Sequence, residues 1–156
     1  MPDDAHAPVV RNRKALHDYH VEDRIEAGLV LVGTEVKSIR AGRINLTGGF
    51  VVIEHGEAWL RDVYIAPYEQ GSVFNVEPRR RRKLLLARRE IAKLELRSHE
   101  SGWTLVPLAV YFRHGYAKLE VGVARGKRAY DKREALRDRE SAREKEREVA
   151  GWRSGK

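Results

Sequence analysis

From Tyr19 onward apolar and polar positions tend to alternate, the mark of strands that bury one face. Tyr19, Val21, Asp23 and Ile25 alternate only imperfectly with His20, Glu22 and Arg24, and Gly28 is expected to end that run. Leu29–Thr34 is an apolar strand candidate. Val36–Ala41 fits one or two helical turns, with Val36 and Ile39 on one face and Gly42 as the stop. Phe50–Glu54 and Glu57–Arg61 flank His55-Gly56 and read as a hairpin, and Val63–Ile65 continues the sheet as far as Ala66-Pro67. Gln70-Gly71-Ser72 and Pro78 read as loop. Leu84, Ala87, Ile91 and Leu94 fall at helical spacing, which predicts a helix over Lys83–Leu96. Thr104–Arg113 and Tyr116–Ala124 predict a second hairpin around His114-Gly115. About six short antiparallel strands with inserted helices suggest a small β-barrel, since closure removes exposed strand edges.

Charge sharpens this picture. The chain has 156 residues, no Cys, and 31 Lys and Arg against 23 Asp and Glu, a formal net charge of +8. The absence of Cys excludes disulfides, thiolate metal sites and Cys nucleophiles. The basic excess points to a polyanionic partner. It is concentrated in two places: residues 79–93 hold eight basic residues and one acidic, and residues 125–156 hold twelve and seven. Arg79, Arg80, Arg81, Arg82 and Lys83 are consecutive, with no acid among them. Such a run leading into a helix opposes the helix dipole, a conflict that makes sense if it meets phosphate.

The ends of the chain differ from the middle. The first ten residues are polar and read as a disordered arm. In the tail, Arg139, Arg143 and Arg147 form one i,i+4 stripe and Glu140, Glu144 and Glu148 another. Like-charge i,i+4 pairs oppose a helix and the i,i+3 Glu–Arg pairs support it, each by roughly 0.2–0.5 kcal/mol. The tail is therefore expected to be disordered alone and helical against an anionic partner. Tyr130, set among basic residues, is a candidate for base stacking. No apolar run approaches the ~18 residues of a membrane span and no secretory signal is visible. These features read as a cytoplasmic protein with no membrane partner.

No constellation for catalysis emerges. Of the six His, only His17 and His20 are close, and no second ligand pair stands at metal-site spacing. Gly126-Lys127-Arg128 lacks the rest of a phosphate-binding loop, and no G-x-S-x-G elbow occurs. Glu22, Asp23 and Glu26 form an acidic cluster, read as local orientation rather than as a hydrolytic pair. The residues thus suggest a nucleic-acid-binding protein with no catalytic residues, cofactor or metal. A generic OB-type binder of single-stranded nucleic acid is one form of that reading.

Seven segments in order narrow it further. They are Asn12 to Tyr19; Glu26-Ala27-Gly28 with Gly33 to Ser38; Gly42 to Leu46; Ile65 to Tyr68; Pro78 to Leu86; Thr104 to Leu108; and Gly126 to Arg133. Together they resemble the SsrA-binding protein family, known as SmpB; one departure from its pattern is Gly48-Gly49-Phe50, where something nearer Asp-Ser-Tyr is expected. The resemblance implies a mainly β fold, an OB-like six-stranded antiparallel barrel with short helices over residues 12–126, preceded by an arm (1–11) and followed by a basic tail (127–156). It implies an RNA-binding adaptor that joins the tRNA-like domain of transfer-messenger RNA to stalled 70S ribosomes in trans-translation, alongside alanyl-charged RNA and elongation factor Tu. By the same resemblance Glu26, Leu85 and Lys118 support RNA binding. Arg13, Lys14, His17, Lys37, Arg79, Arg80, Arg81 and Arg82 are expected to join them. Tyr130, Asp131, Lys132 and Arg133, with Lys127 and Arg128, match the segment that enters the decoding centre. Arg139, Arg143 and Arg147 would then line a helix in the empty mRNA channel.

Overall fold

The computed structural model describes residues 9–69 and 74–127. Nine strands and three helices are built from them. The strands are β1 (Val10–Arg11), β2 (Tyr19–Leu29), β3 (Ile44–Asn45), β4 (Phe50–Glu54), β5 (Glu57–Arg61), β6 (Tyr64–Ile65), β7 (Arg82–Leu85), β8 (Trp103–Arg113) and β9 (Tyr116–Gly126). The helices are α1 (Arg13–Asp18), α2 (Gly33–Arg40) and α3 (Arg88–His99). Seven strands form one sheet in the order β1-β8-β9-β2-β7-β5-β4, every pairing antiparallel. β4 packs back against β8, so the sheet curls around its core. β3 and β6 form a separate two-stranded ribbon. The mainly β, antiparallel architecture is the expected one; the strand count in the main sheet is seven where six were expected.

Both hairpins fall where the His-Gly pairs place them. His55 and Gly56 have φ of 51° and 74°, and His114 and Gly115 have 52° and 81°. Left-handed conformation at both central positions is what a two-residue hairpin turn needs to follow the twist of its strands. The turn also sets register: Arg113 faces Tyr116, and Tyr111 faces Lys118.

Ile25, Ala27, Leu29, Leu60, Leu84, Leu105, Val110, Leu119, Val121 and Val123 point into the core, which α2 caps with Ile39 and α3 with Leu94. Two bulges then switch faces. One interrupts β2 between Val21 and Asp23, the other β8 between Pro107 and Ala109. Tyr19, Val21, Val106 and Leu108 consequently pack on the outer side of the sheet, with Ala15, Leu16 and Ala124. There α1 covers one half of the outer face of β2, β8 and β9. Asn12 anchors the helix: its Oδ1 accepts from Ala15 N at 3.1 Å, and its Nδ2 donates to Pro107 O at 2.9 Å and Leu46 O at 3.3 Å. These bonds satisfy a buried side chain and a free helix N–H together.

Several expectations need correction. The arm expected through residue 11 gives way to β1, where Val10 pairs with Val110 and covers the free edge of β8. α1 is a helix that the pattern did not predict. β2 continues through Gly28 to Leu29, so the strand expected over Leu29–Thr34 is instead the last residue of β2, a short link and the start of α2. The helix expected over Lys83–Leu96 begins only at Arg88. Arg82–Leu85 is a strand held between β2 and β5, and Ala87, in extended conformation with φ −64° and ψ 149°, marks the helix start. Helical spacing at Leu84 was overridden by two ladders of backbone hydrogen bonds.

Candidate nucleic-acid interface

The half of the outer sheet face that α1 leaves uncovered is built by register. Directly opposite residues in antiparallel strands share a face. Tyr111 on β8 faces Lys118 on β9, Lys118 faces Gly28 on β2, and Gly28 faces Leu85 on β7. One step along, Glu120 faces Glu26. Glu26, Leu85 and Lys118, which the resemblance singled out, are therefore neighbours on one open face although 59 and 33 positions separate them in sequence. Lys83 lies on the same side of β7, facing Trp59 on β5, and the Arg81 guanidinium stacks 4.0 Å over the Trp59 ring.

The surface so formed mixes apolar and charged groups. Leu85 is 57% exposed, unusual for a Leu in a strand between two others. Gly28 leaves a flat floor beside it, because a Cβ there would come within 3.1 Å of Leu85 Cβ. Glu26 accepts hydrogen bonds at Oε2 from the Tyr111 hydroxyl and from Arg113 at 3.4 Å. Glu120 is paired with Arg24 at 2.7 Å. Burial raises the Tyr111 pKa, and the bond to Glu26 raises it further, so the phenol remains a proton donor. Where this face meets α1, a cavity of about 230 Å³ is lined by Arg11, Leu16, Arg24, Leu108, Ala109, Tyr111 and Glu120.

The Arg79–Lys83 run is not five free cations. Arg82 is 0% exposed. Its Nε lies 2.8 Å from Glu35 Oε2, and its remaining nitrogens donate to Val63 O and to Pro78 O, the latter at 2.9 Å. Arg80 also binds Glu35, at the other carboxylate oxygen. Arg82 is thus corrected from an RNA-facing residue to the core of the fold. Burial pushes the Glu35 carboxyl up, but hydrogen bonds from Arg80, from Val32 N at 3.0 Å and from Arg82 outweigh it and hold its pKa below the usual carboxylate value. Arg79, Arg81 and Lys83 remain at the surface, over Tyr64, over Trp59 and 3.4 Å from Glu57 respectively.

The other expected residues spread around this face. Arg13, Lys14 and His17 are exposed on α1, with His17 Nδ1 3.0 Å from Asp18. Lys37 is exposed on α2, its ammonium 5.4 Å from the Tyr68 ring centroid. Of the acidic cluster, Glu22 and Asp23 bind Arg97 and Lys93 of α3 at 2.7 and 2.9 Å, apart from Glu26. Lys127 is exposed at the end of the described chain. Arg128, Tyr130, Asp131, Lys132, Arg133, Arg139, Arg143 and Arg147 lie outside the described residues. Tyr111, Arg113, Trp59 and the Arg24–Glu120 pair are not among the residues expected to bind RNA. The signal for Tyr111 and Arg113 was present: the two-residue turn at His114-Gly115 fixes which residues of β8 and β9 share a face.

Comparison with known proteins finds similar sequences and a similar fold. The family model described as "SmpB protein" matches residues 9–151. An SsrA-binding protein of Streptococcus sanguinis is 56% identical over 144 residues, 92% of this chain and 93% of that protein. One of Thermobifida fusca is 58% identical over 139 residues, covering 89% and 87%. One of Acidothermus cellulolyticus is 59% identical over 136 residues, covering 87% and 86%. Among solved structures, a chain from the work described as "tmRNA-SmpB: a journey to the center of the bacterial ribosome" superimposes with a TM-score of 0.67 at 54% identity, covering 78% of this chain and 85% of that one.

Proposed function

The chain belongs to the SmpB protein family, and from that premise we propose that the open face of β9, β2 and β7 is where it holds RNA. The protein is an RNA-binding adaptor of trans-translation: it binds the tRNA-like domain of transfer-messenger RNA and recruits it to stalled ribosomes, which leads to tagging of the nascent peptide. The observation that carries the site is the meeting of Glu26, Leu85 and Lys118 around Gly28. Lys118 supplies a cation for phosphate, Leu85 and the bare Gly28 backbone supply a surface for ribose or base, and Glu26 accepts hydrogen bonds that phosphate cannot donate. A-form RNA hides its base edges in a deep major groove, so recognition of a folded tRNA-like domain rests on phosphates, 2′-hydroxyls and shape. A rigid, mixed-polarity strand face suits that task. Arg81 and Lys83 extend it, and Arg13, Lys14, His17, Lys37, Arg79 and Arg80 would supply outlying phosphate contacts.

Residues 12–126 form the RNA-binding unit in this reading, and residues 127–156 the ribosome-directed tail. The tail set from Lys127 to Arg133 would reach the decoding centre and the Arg139, Arg143 and Arg147 stripe the mRNA channel. Messenger RNA and tail compete for one channel, so a stalled ribosome is recognised by the emptiness of that channel. The role is that of a non-enzymatic adaptor acting in the cytoplasm, with alanyl-charged RNA and elongation factor Tu completing the assembly. Binding isotherms with a tRNA-like RNA and with an unpaired strand of equal length test the reading. Tighter binding to the folded RNA is expected. Preference for the unpaired strand would indicate a general OB-type binder and overturn it.

A further inference from the structure

Glu26 and Glu120 face each other directly across β2 and β9. Like charges in that position destabilise a sheet, and here they stand on a face assigned to a polyanion. Each is drawn into a separate contact. Arg24 takes Glu120 at 2.7 Å. Glu26 is taken from two strands away: Tyr111, on β8, reaches over β9 to donate its hydroxyl to Glu26 Oε2, and Arg113 approaches the same oxygen at 3.4 Å. Tyr111 is half-buried, and its register partner is Lys118, so its ring lies beside the cation of the same face. Both contacts use Oε2, so among the described residues Oε1 is left to a ligand.

We propose that Tyr111 is a positioning residue for RNA binding: its hydroxyl clamps one oxygen of Glu26 so that the other is presented, already oriented, to a hydrogen-bond donor of the RNA, a ribose 2′-hydroxyl or a base amine. The proposal rests on the assignment of this face to RNA. The physical advantage is preorganisation. A free Glu side chain gives up rotamer freedom when it binds, and one already fixed gives up less. Arg113 assists by charge, and Tyr111 adds direction, because a phenol donates along one axis.

Tyr111→Phe removes the hydroxyl and leaves the ring. Isotherms on the full-length protein with a tRNA-like RNA should show Tyr111→Phe weakening binding by roughly two- to tenfold, the scale of the cost of immobilising one side chain on binding. Thermal melting should fall by only a few degrees, as the loss of one half-buried hydrogen bond implies. In a double-mutant cycle, Tyr111→Phe should cost nothing further in a Glu26→Ala background, a coupling that a structural role for Tyr111 would not produce. If Glu26→Ala weakens binding but Tyr111→Phe does not, the positioning role is wrong while the face assignment stands. Equal losses in both backgrounds would mean that the hydroxyl acts on RNA directly or on the fold, and would overturn the proposal. If Glu26→Ala itself leaves binding intact, the face assignment fails and the positioning role with it.

Discussion

Arg82 shows how much one residue's setting changes its meaning. It is a member of a run of five cations, yet its side chain is wholly enclosed and bound to Glu35, Val63 O and Pro78 O. These contacts tie β7 to the N-terminus of α2 and to the segments before β6 and β7. A buried ion pair adds little net stability over an apolar replacement of both partners, but removing one partner strands the other charge. Arg82→Ala should therefore destabilise the protein by about 3–5 kcal/mol in denaturant titration, whereas Arg81→Ala, at the surface, should change it by well under about 1 kcal/mol. Acid should act through Glu35. Its pKa is lower folded than its ordinary value of 4.5, so the folded state binds the proton more weakly than the unfolded chain. That contribution is complete above the unfolded value and is lost as pH falls through the folded one. Unfolding free energy measured from pH 6 down to about pH 3 should fall below about pH 4.5, and the part due to Glu35 should vanish in Glu35→Gln.

Among the elements, α3 separates burial from charge. Leu94 is fully enclosed, while Lys93–Asp23 and Arg97–Glu22 hold the helix to β2 through largely exposed pairs. Burial should dominate. Leu94→Ala is expected to cost about 2–5 kcal/mol, and Asp23→Ala or Glu22→Ala about 0.2–1 kcal/mol each, fading with salt. Amide exchange along α3 at low and high salt, set beside equilibrium unfolding of the three variants, checks the order. The same elements show what a sequence conveys. The hairpins at His55-Gly56 and His114-Gly115 were legible because turn chemistry and alternation agree there. The alternation from Tyr19 to Ile25 looked faulty because a bulge after Val21 moves the strand's buried side from one face to the other. α1 is six residues long and held by Asn12 bonds to residues 46 and 107, partners that no local pattern announces. β7 was misread because its apolar spacing also suits a helix, and only pairing with β2 and β5 decides between them. Glu26, Leu85 and Lys118 came from resemblance; their adjacency is a product of register.

At the scale of the whole molecule, charge and shape divide the work. Affinity for RNA scales with the cations that actually reach phosphate. Arg79→Gln with Arg81→Gln should flatten the dependence of log affinity on log salt by about 0.7–0.9 for each phosphate left without its cation, and without the unfolding expected at Arg82. An unchanged slope would assign those residues to another partner. The tail follows a different logic. Between residues 131 and 150 only Ala135, Leu136, Ala142, Val149 and Ala150 are apolar. So few apolar groups cannot offset an ordering cost of roughly 1–2 kcal/mol per residue by packing on the sheet. In the proposed reading, an anionic surface matched to Arg139, Arg143 and Arg147 would supply that order. A protein ending at Ala129 keeps the core and the face proposed for RNA, and should bind the tRNA-like RNA with nearly full affinity. It lacks the Tyr130 to Arg133 segment and the Arg stripe proposed for the mRNA channel, and should fail to support tagging on stalled ribosomes. Charge reversal at Arg139, Arg143 and Arg147 in the full chain should lower tagging in the same direction and leave the RNA isotherm near normal. An isotherm and a tagging assay on one truncated sample decide the matter, because full-rate tagging without the tail would reduce it to a solubilising appendage.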